Sequence, residues 1–562
     1  MDTKRIILAI VLSFLVIVLY QLIFVKKAPE PQPGAVVSPQ AEKVQTQTPQ
    51  QKEPAVAPKQ AQESKLEAEK PNLEQVAAQR EDLVTVFTSL YQAVWSNKGG
   101  VLQSWKLRAH KNEKKEDLEL VSAFAKETGI YPFALLDESP EAANADLSGI
   151  KVNAYNSPFY KTFVPALNLK DGQRGEVRFQ YSDGKGIEVE KVLTFYGGRY
   201  DFEVAVNVRR NGQRTEPRLL WGPGIGNPTA EELKNRFAGG AGVTVLASGK
   251  LYRVDELKYK PEQSAFNFVN WAAYDENYFT ALFLPAPESG TAAFLKKDTE
   301  KASFFFLSVN NPRRAFIGPK EYDTLTAFGH DARKIVRFGF FGFIAEILLY
   351  SIKFIHRYIP NWGIAIIILT ILIKIVFFPL TYSSTKSMAK MQELQPKVKA
   401  LRAKYKKAKQ DIGQRRQMNE EMMKLYKEHG VNPAGGCLPM LIQIPVFWGI
   451  FKLLAVSIEL RHSPFMLWIK DLSVKDPYYV TPILMGITQF ISQKMTPTSA
   501  DPSQAKMMLI MPVIMTVFFM NFQSGLVLYW LTSNVLQIGQ QYIMNRMIQK
   551  KKRESHGKRR KD

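Results

Sequence analysis

Cysteine is nearly missing from this chain: 562 residues hold Cys437 alone, so no intrachain disulfide can form and any part folded in water rests on its core. No H-E-x-x-H occurs. The stretch from about 81 to 331 has no metal-spaced His or Cys cluster, no G-x-S-x-G and no phosphate-cradling glycine loop. A thiol protease built on Cys437 and His429 lacks a third group to orient the base. The expectation is therefore no enzyme, no metal and no cofactor. Paired internal repeats are lacking too, which argues against a secondary transporter. Residues 28–80 are Pro, Gln, Ala, Lys and Glu without aromatics, too poor in apolar surface to offset chain entropy, and read as a disordered linker.

Long apolar runs are what the chain does have. Residues 6–25 follow Lys4 and Arg5, are long enough to span a bilayer and have no A-x-A site after them, so segment 1–27 reads as an uncleaved signal anchor. Further spans are expected at about 362–380, 437–457, 479–493, 507–522 and 525–543, six in all. The net charge of +23 gathers beside these spans, as the positive-inside rule requires, and does not call for DNA. The basic loop 381–430 and the basic tail 549–562 are then cytoplasmic, and six spans put both termini on that side.

Residues 81–335 alternate with period two, as in Tyr200, Phe202, Val204, Val206 and Val208, and are punctuated by Asp183-Gly184, Gly197-Gly198 and Asn211-Gly212. The pattern predicts a large all-β domain on the opposite side. In 336–358 the polar residues Glu346, Tyr350, Lys353 and Arg357 share one helical face, predicting an interfacial amphipathic helix with that stripe toward headgroups. The loop 382–430 carries three-four apolar spacing on both sides of a break near Asp411 and predicts a helical hairpin. Met388, Met391 and Met422 offer adaptable apolar contacts there, and Lys399 and Lys407 charge.

Lys374 stands inside the apolar run 362–380. An intramembrane charge is costly and either faces a polar cavity or snorkels to the interface. Thr370 lies four residues before it on the same face. Gln443 sits mid-span, and Ser533, Asn534, Gln537 and Gln540 cluster on the last span, so a wet groove between 359 and 548 is the expectation. Pro439, Pro445, Pro482 and Pro512 are expected to interrupt helices there.

The stretch 361–541 contains NWG, PLT, SMAKMQELQP, NPAGGCLPMLIQIPVFW, LWIKDLS, DPYYVTPILMG, QKM and GLVLYWLTSN, and closely resembles the YidC/Oxa/Alb family of membrane protein insertases. With the anchor and β domain, the resemblance implies the Gram-negative arrangement: a six-span bacterial inner-membrane protein with a five-helix insertase core and a periplasmic β-supersandwich. It implies insertion and folding of nascent membrane proteins in the lipid bilayer, with the ribosome, the Sec translocon and targeting factors as partners. Ile444, Phe447 and Phe518 would form a slide for the apolar segment. The family's groove charge is usually arginine, so Lys374 keeps the charge and loses the bidentate grip. A chaperone that cradles helices without inserting them is the alternative.

Overall fold

The computed structural model describes residues 74–112, 114–136, 153–227, 240–287, 289–299, 302–405, 411–431, 438–495 and 502–559. The anchor, residues 28–73 of the linker, Cys437 and Lys407 lie outside them; the end of the segment read as linker, 74–80, is instead tied to the sheets, Val76 N bonding Ser182 O (3.0 Å) and Ala78 N bonding Phe159 O (2.8 Å).

The alternating segment folds as three sheets. A ten-stranded sheet runs in order through Lys250–Asp255, Gly242–Ala247, Val269–Asp275, Phe279–Pro285, Pro312–Pro319, Asp201–Arg210, Ile187–Tyr196, Arg174–Ser182 and Lys161–Thr162, with Gln213–Thr215 added on Asp201–Arg210. Five-stranded sheets formed around Tyr91–Ser96 and around Ser303–Asn310 flank the same core. The period-two reading holds: Tyr200, Phe202, Val204, Val206 and Val208 are all buried. Asn211 and Gly212 both take positive φ in the two-residue turn that pairs Arg210 with Gln213, a conformation open to Asn and Gly and strained for most others. Rings dominate the interior, with Trp105 stacked on Tyr91 at 4.0 Å and Trp95 edge-on to Phe133 at 4.8 Å.

One core position of the alternation is a lysine. Val189, Lys191, Leu193 and Phe195 point inward, and the Lys191 ammonium donates to the carbonyls of Gly99 (2.7 Å), Gly100 (3.1 Å) and Phe133 (2.8 Å). All three donors of an ammonium are thereby used.

Helices follow: α1 (Tyr322–Phe328), α2 (Gly342–Tyr358), α3 (Trp362–Glu393), α4 (Gln395–Lys404), α5 (Ile412–Glu428), α6 (Leu438–Val456), α7 (Val480–Met495), α8 (Pro502–Phe519) and α9 (Ser524–Arg559). Residues 393–431 and 499–507, the latter including the start of α8, belong to a separate compact unit; the sheets and the rest of the helices named share the other. Among the described residues, α3 alone is both long and apolar enough to cross a bilayer, while 443–456 and 509–519 are shorter apolar stretches.

Several expectations change. The helix begun at Trp362 does not stop near Leu380 but runs to Glu393, because the polar residues after Leu380 are still helix formers and the break comes only at Pro396, in the first turn of α4. Met388 and Met391 therefore ride on α3 and not on the hairpin. The hairpin is α4 with α5, set antiparallel by Lys397 to His429 (2.9 Å) and Lys404 to Glu421 (3.0 Å), with Asp411 capping α5 through Gly413 N and Gln414 N. The last helix likewise continues past Ile543 to Arg559, since nothing in that basic stretch breaks a helix. Pro439 and Pro482 fall in first turns, where a missing N–H costs little; the prolines inside helices are Pro379, Pro445 and Pro512.

The polar stripe of α2 also turns out differently. Lys353 pairs with Asp323 on α1 (2.9 Å) and with Glu459 (2.9 Å), Glu346 bonds Tyr322, and Tyr350 stands edge-on to Tyr322, so three of the four polar residues meet protein. Paired charges are better satisfied there than at a headgroup layer. What α2 presents outward is mainly apolar: Phe343, Ile347, Phe354 and Tyr358 are all more than half exposed. The opposite face, Ala345, Leu348, Leu349, Ile352 and Ile355, is buried.

Candidate functional site

Beside an apolar interior that includes Ile366, Leu369, Phe451 and Leu526, the helices also turn polar side chains inward and many apolar ones outward. Thr370, Thr481, Ser492, Ser533, Asn534, Gln540 and Gln541 are buried, while Ile375, Val376, Ile487, Val513 and Val517 are more than half exposed. In water this arrangement would be unfavourable; in hydrocarbon it is the expected one.

Lys374 is half-buried on α3 and donates to Gln537 Oε1 on α9 at 3.0 Å. Among the described residues no carboxylate is in ion-pair reach of it, and its other two donors have no partner. The remaining residues expected in a groove do not join this pair in one set of contacts. Thr370 spends its hydroxyl on Ile366 O of its own helix, at 2.6 Å. Gln443 on α6 bonds the Tyr529 hydroxyl on α9. Asn534 faces α7, donating to Met485 O (3.1 Å), and Ser533 is buried beside it. Helix α9 is the common member, reaching α3 through Gln537, α6 through Tyr529 and α7 through Asn534.

Sequence reasoning missed part of this last seam. Trp530 Nε1 donates to Gln489 Oε1 (3.3 Å) and Asn545 Nδ2 to Met495 O (3.4 Å), so 530, 534, 541 and 545 mark one face of α9; their four- and seven-residue spacing was the available signal. Of the expected slide residues, Ile444 and Phe518 are well exposed, whereas Phe447 is half-buried with its ring 5.0 Å from Trp530. On the hairpin, Met422 is half-buried and Lys399 exposed, and the outward apolar groups are Ile412 and Met423. Met388 is half-buried and Met391 buried on α3.

The quoted motifs do structural work at helix starts. Asn361 Oδ1 accepts from Ile364 N (3.0 Å) at the head of α3, and its amide donates to Phe465 O (2.9 Å). Asp476 accepts from Thr481 N (2.8 Å), Thr481 Oγ1 (2.7 Å), Tyr478 N (3.0 Å) and Trp468 Nε1 (3.1 Å), tying the loop to the head of α7. Burial raises that carboxyl, and these donors more than offset it and hold it below the usual carboxylate range.

Where the sheets meet the helices lies an ion cluster. Asp275 is fully buried with Lys320 (3.0 Å), Thr244 (2.7 Å) and Arg337 (3.3 Å), and Arg337 also reaches Asp255 (3.2 Å). Asn277 donates to Ala455 O of α6 at 3.2 Å, and Arg461 lies over the Tyr278 and Phe279 rings, so the sheets are joined to the helices at several points.

Two family models match the chain in tandem: a YidC periplasmic domain over residues 83–351 and a 60Kd inner membrane protein over 354–552. A membrane protein insertase YidC of Syntrophus aciditrophicus is 40% identical over 576 residues, covering 97% of this chain and 99% of its own. One of Geobacter sulfurreducens is 41% identical over 418 residues, covering 71% and 77%. A crystal structure of an active YidC insertase with its first transmembrane domain resolved aligns over 83% of this chain and 93% of that one, at 19% identity and a TM-score of 0.35.

Proposed function

Because this chain belongs to the YidC family of membrane protein insertases, we propose that it carries polar segments across the inner membrane by offering them the Lys374 ammonium inside its helical core. The observation behind this reading is the Lys374–Gln537 bond: a cation in an apolar span, held by one neutral acceptor, with donors to spare. A carboxylate at about 4 Å would gain roughly 4 kcal/mol at an effective dielectric of 20, similar to the cost of bringing that carboxylate into hydrocarbon. The apolar segment then leaves into lipid past Ile444 and Phe518.

In the same reading the chain has six spans, with the anchor 6–25 as the first, both termini and the α4–α5 hairpin in the cytoplasm, and the sheets in the periplasm. Helix α2 lies along the outer membrane surface on its aromatic stripe. Ribosomes meet the basic tail and hairpin, where Met422, Lys399 and Lys407 offer contacts to substrates or targeting factors, and the Sec translocon is a membrane partner.

The test is insertion into liposomes of a short membrane peptide with an acidic translocated tail, against the same peptide with a neutral tail. Lys374→Arg retains insertion, Lys374→Ala loses mainly the acidic substrate, and Lys374→Glu loses most. Equal activity of the three at equal expression would show that the charge does no work. A peptide that docks without crossing would favour a chaperone.

A further inference from the structure

We propose that the junction between the sheets and α2 is a binding site for the phosphate headgroup of an anionic phospholipid. A cavity of about 440 Å³ opens there, lined by Arg253, Arg333, Lys334, Val336, Gly342 and Glu346 among others. Its charges do not balance. Lys334 is paired with Asp331 (2.8 Å), and Asp255 and Asp275 are taken by Arg337 and Lys320, which leaves Arg253 and Lys452 in excess. Arg253 donates to Lys334 O (2.8 Å) and, among the described residues, has no carboxylate in ion-pair reach. Lys452 has none either; the charges acting on it are Arg337 and Arg253, both positive, and its Cε would lie 4.0 Å from a methyl placed on Gly339 in the cavity wall. Burial and Arg337 pull the Arg253 guanidinium below its ordinary value, against a weaker opposite pull from Asp275 and Asp255.

Like charges collected around a cavity call for an anion. Among the described residues Arg333 hydrogen-bonds the Tyr322 hydroxyl (3.3 Å), and Glu346, the acidic wall residue, is bonded to that same hydroxyl and acts on Arg333 through its charge. Helix α2 starts at the cavity with no side-chain cap; Gly342 N and Ile344 N already bond Gly339 O and Phe341 O, and the positive end of the helix lies at the cavity wall. Beside it Phe340 is 93% and Phe343 65% exposed. An anion with acyl chains satisfies both features, head among the cations and chains along the rings. A soluble phosphate satisfies only the first. The assignment rests on α2 lying at the membrane surface.

The test uses the purified full-length chain in detergent, with native mass spectrometry reading retention of added phosphatidylglycerol against phosphatidylcholine. One phosphatidylglycerol is retained, and Arg253→Gln with Lys452→Gln weakens it roughly tenfold or more. Gly342→Asp weakens it as well while favouring the helix start, so loss of binding there is not loss of fold. Lys185→Gln, exposed on a distant turn, leaves it unchanged. Equal retention by the cavity variants, equal binding of phosphatidylcholine, an equal loss in Lys185→Gln, or full displacement by millimolar inorganic phosphate would each overturn the assignment. An environment-sensitive probe at Ile347→Cys, in a Cys437→Ser background, reads separately whether α2 touches lipid.

Discussion

The sheet region and the helical region each hold a lysine out of bulk water, and they treat it in opposite ways. Lys191 is 1% exposed with three carbonyl acceptors; Lys374 is half-buried with one. A saturated ammonium fixes local structure and has nothing left to offer. An under-coordinated one has unused hydrogen-bonding capacity, which only a passing acceptor can take up. The packing differs as well: both interiors hold rings, but the helices add buried polar seams behind an exposed apolar surface, so burial of a polar group reports structure in one region and solvent in the other.

The sharpest way to break this comparison is Lys191→Met, which keeps the stem and removes the donors. Three carbonyls lose their partner, and the sheet region should lose at least about 3 kcal/mol in denaturant unfolding followed by tryptophan fluorescence. A loss below about 1 kcal/mol would mean that the lysine is tolerated in the core and does not staple it.

The next test concerns the joint between regions. Burial first, then Arg461 and His462, push His110 down to about 4. Between that value and the ordinary 6.5 the unfolded chain binds a proton that the folded one refuses, so stability is present above pH 6.5 and is lost as pH falls toward 4. On the order of 2 kcal/mol should disappear across that window, read as the thermal midpoint at pH 7.5 against pH 5, and His110→Gln should flatten the slope. An unchanged slope in the variant would place the pH dependence elsewhere.

The smallest effect is expected in the polar seam of the helices. Asn534→Leu removes the bond to Met485 O and should cost about 0.6 kcal/mol, at most about 1.7, because an unfolded helix in lipid finds other partners. A cost matching that of Lys191→Met would erase the distinction between the regions.

Legibility followed the same division. The strand at 201–210 was readable because one face is buried and the other wet, and Lys191 was readable in principle, since it stands at an inward position between Val189 and Leu193. Lys374 was conspicuous because its run is otherwise apolar. Its partner was less so: Thr370, Gln443 and Asn534 carry the same kind of signal as Gln537, and which helix each one faces is settled by packing that no spacing encodes. The length of α3 escaped for a related reason, since a change from apolar to polar residues ends a membrane run without ending a helix.

Lys353 gives the fold a sense of time. One of its partners, Asp323, leaves the ribosome shortly before it and the other, Glu459, long after it, with α3 to α6 made in between. While it waits, the ammonium has half its final coordination and α2 is clamped from one side only. The bridge closes when the loop beyond α6 arrives beside α1 and α2, so a single side chain distinguishes a chain still being made from one whose helices have all come together around it.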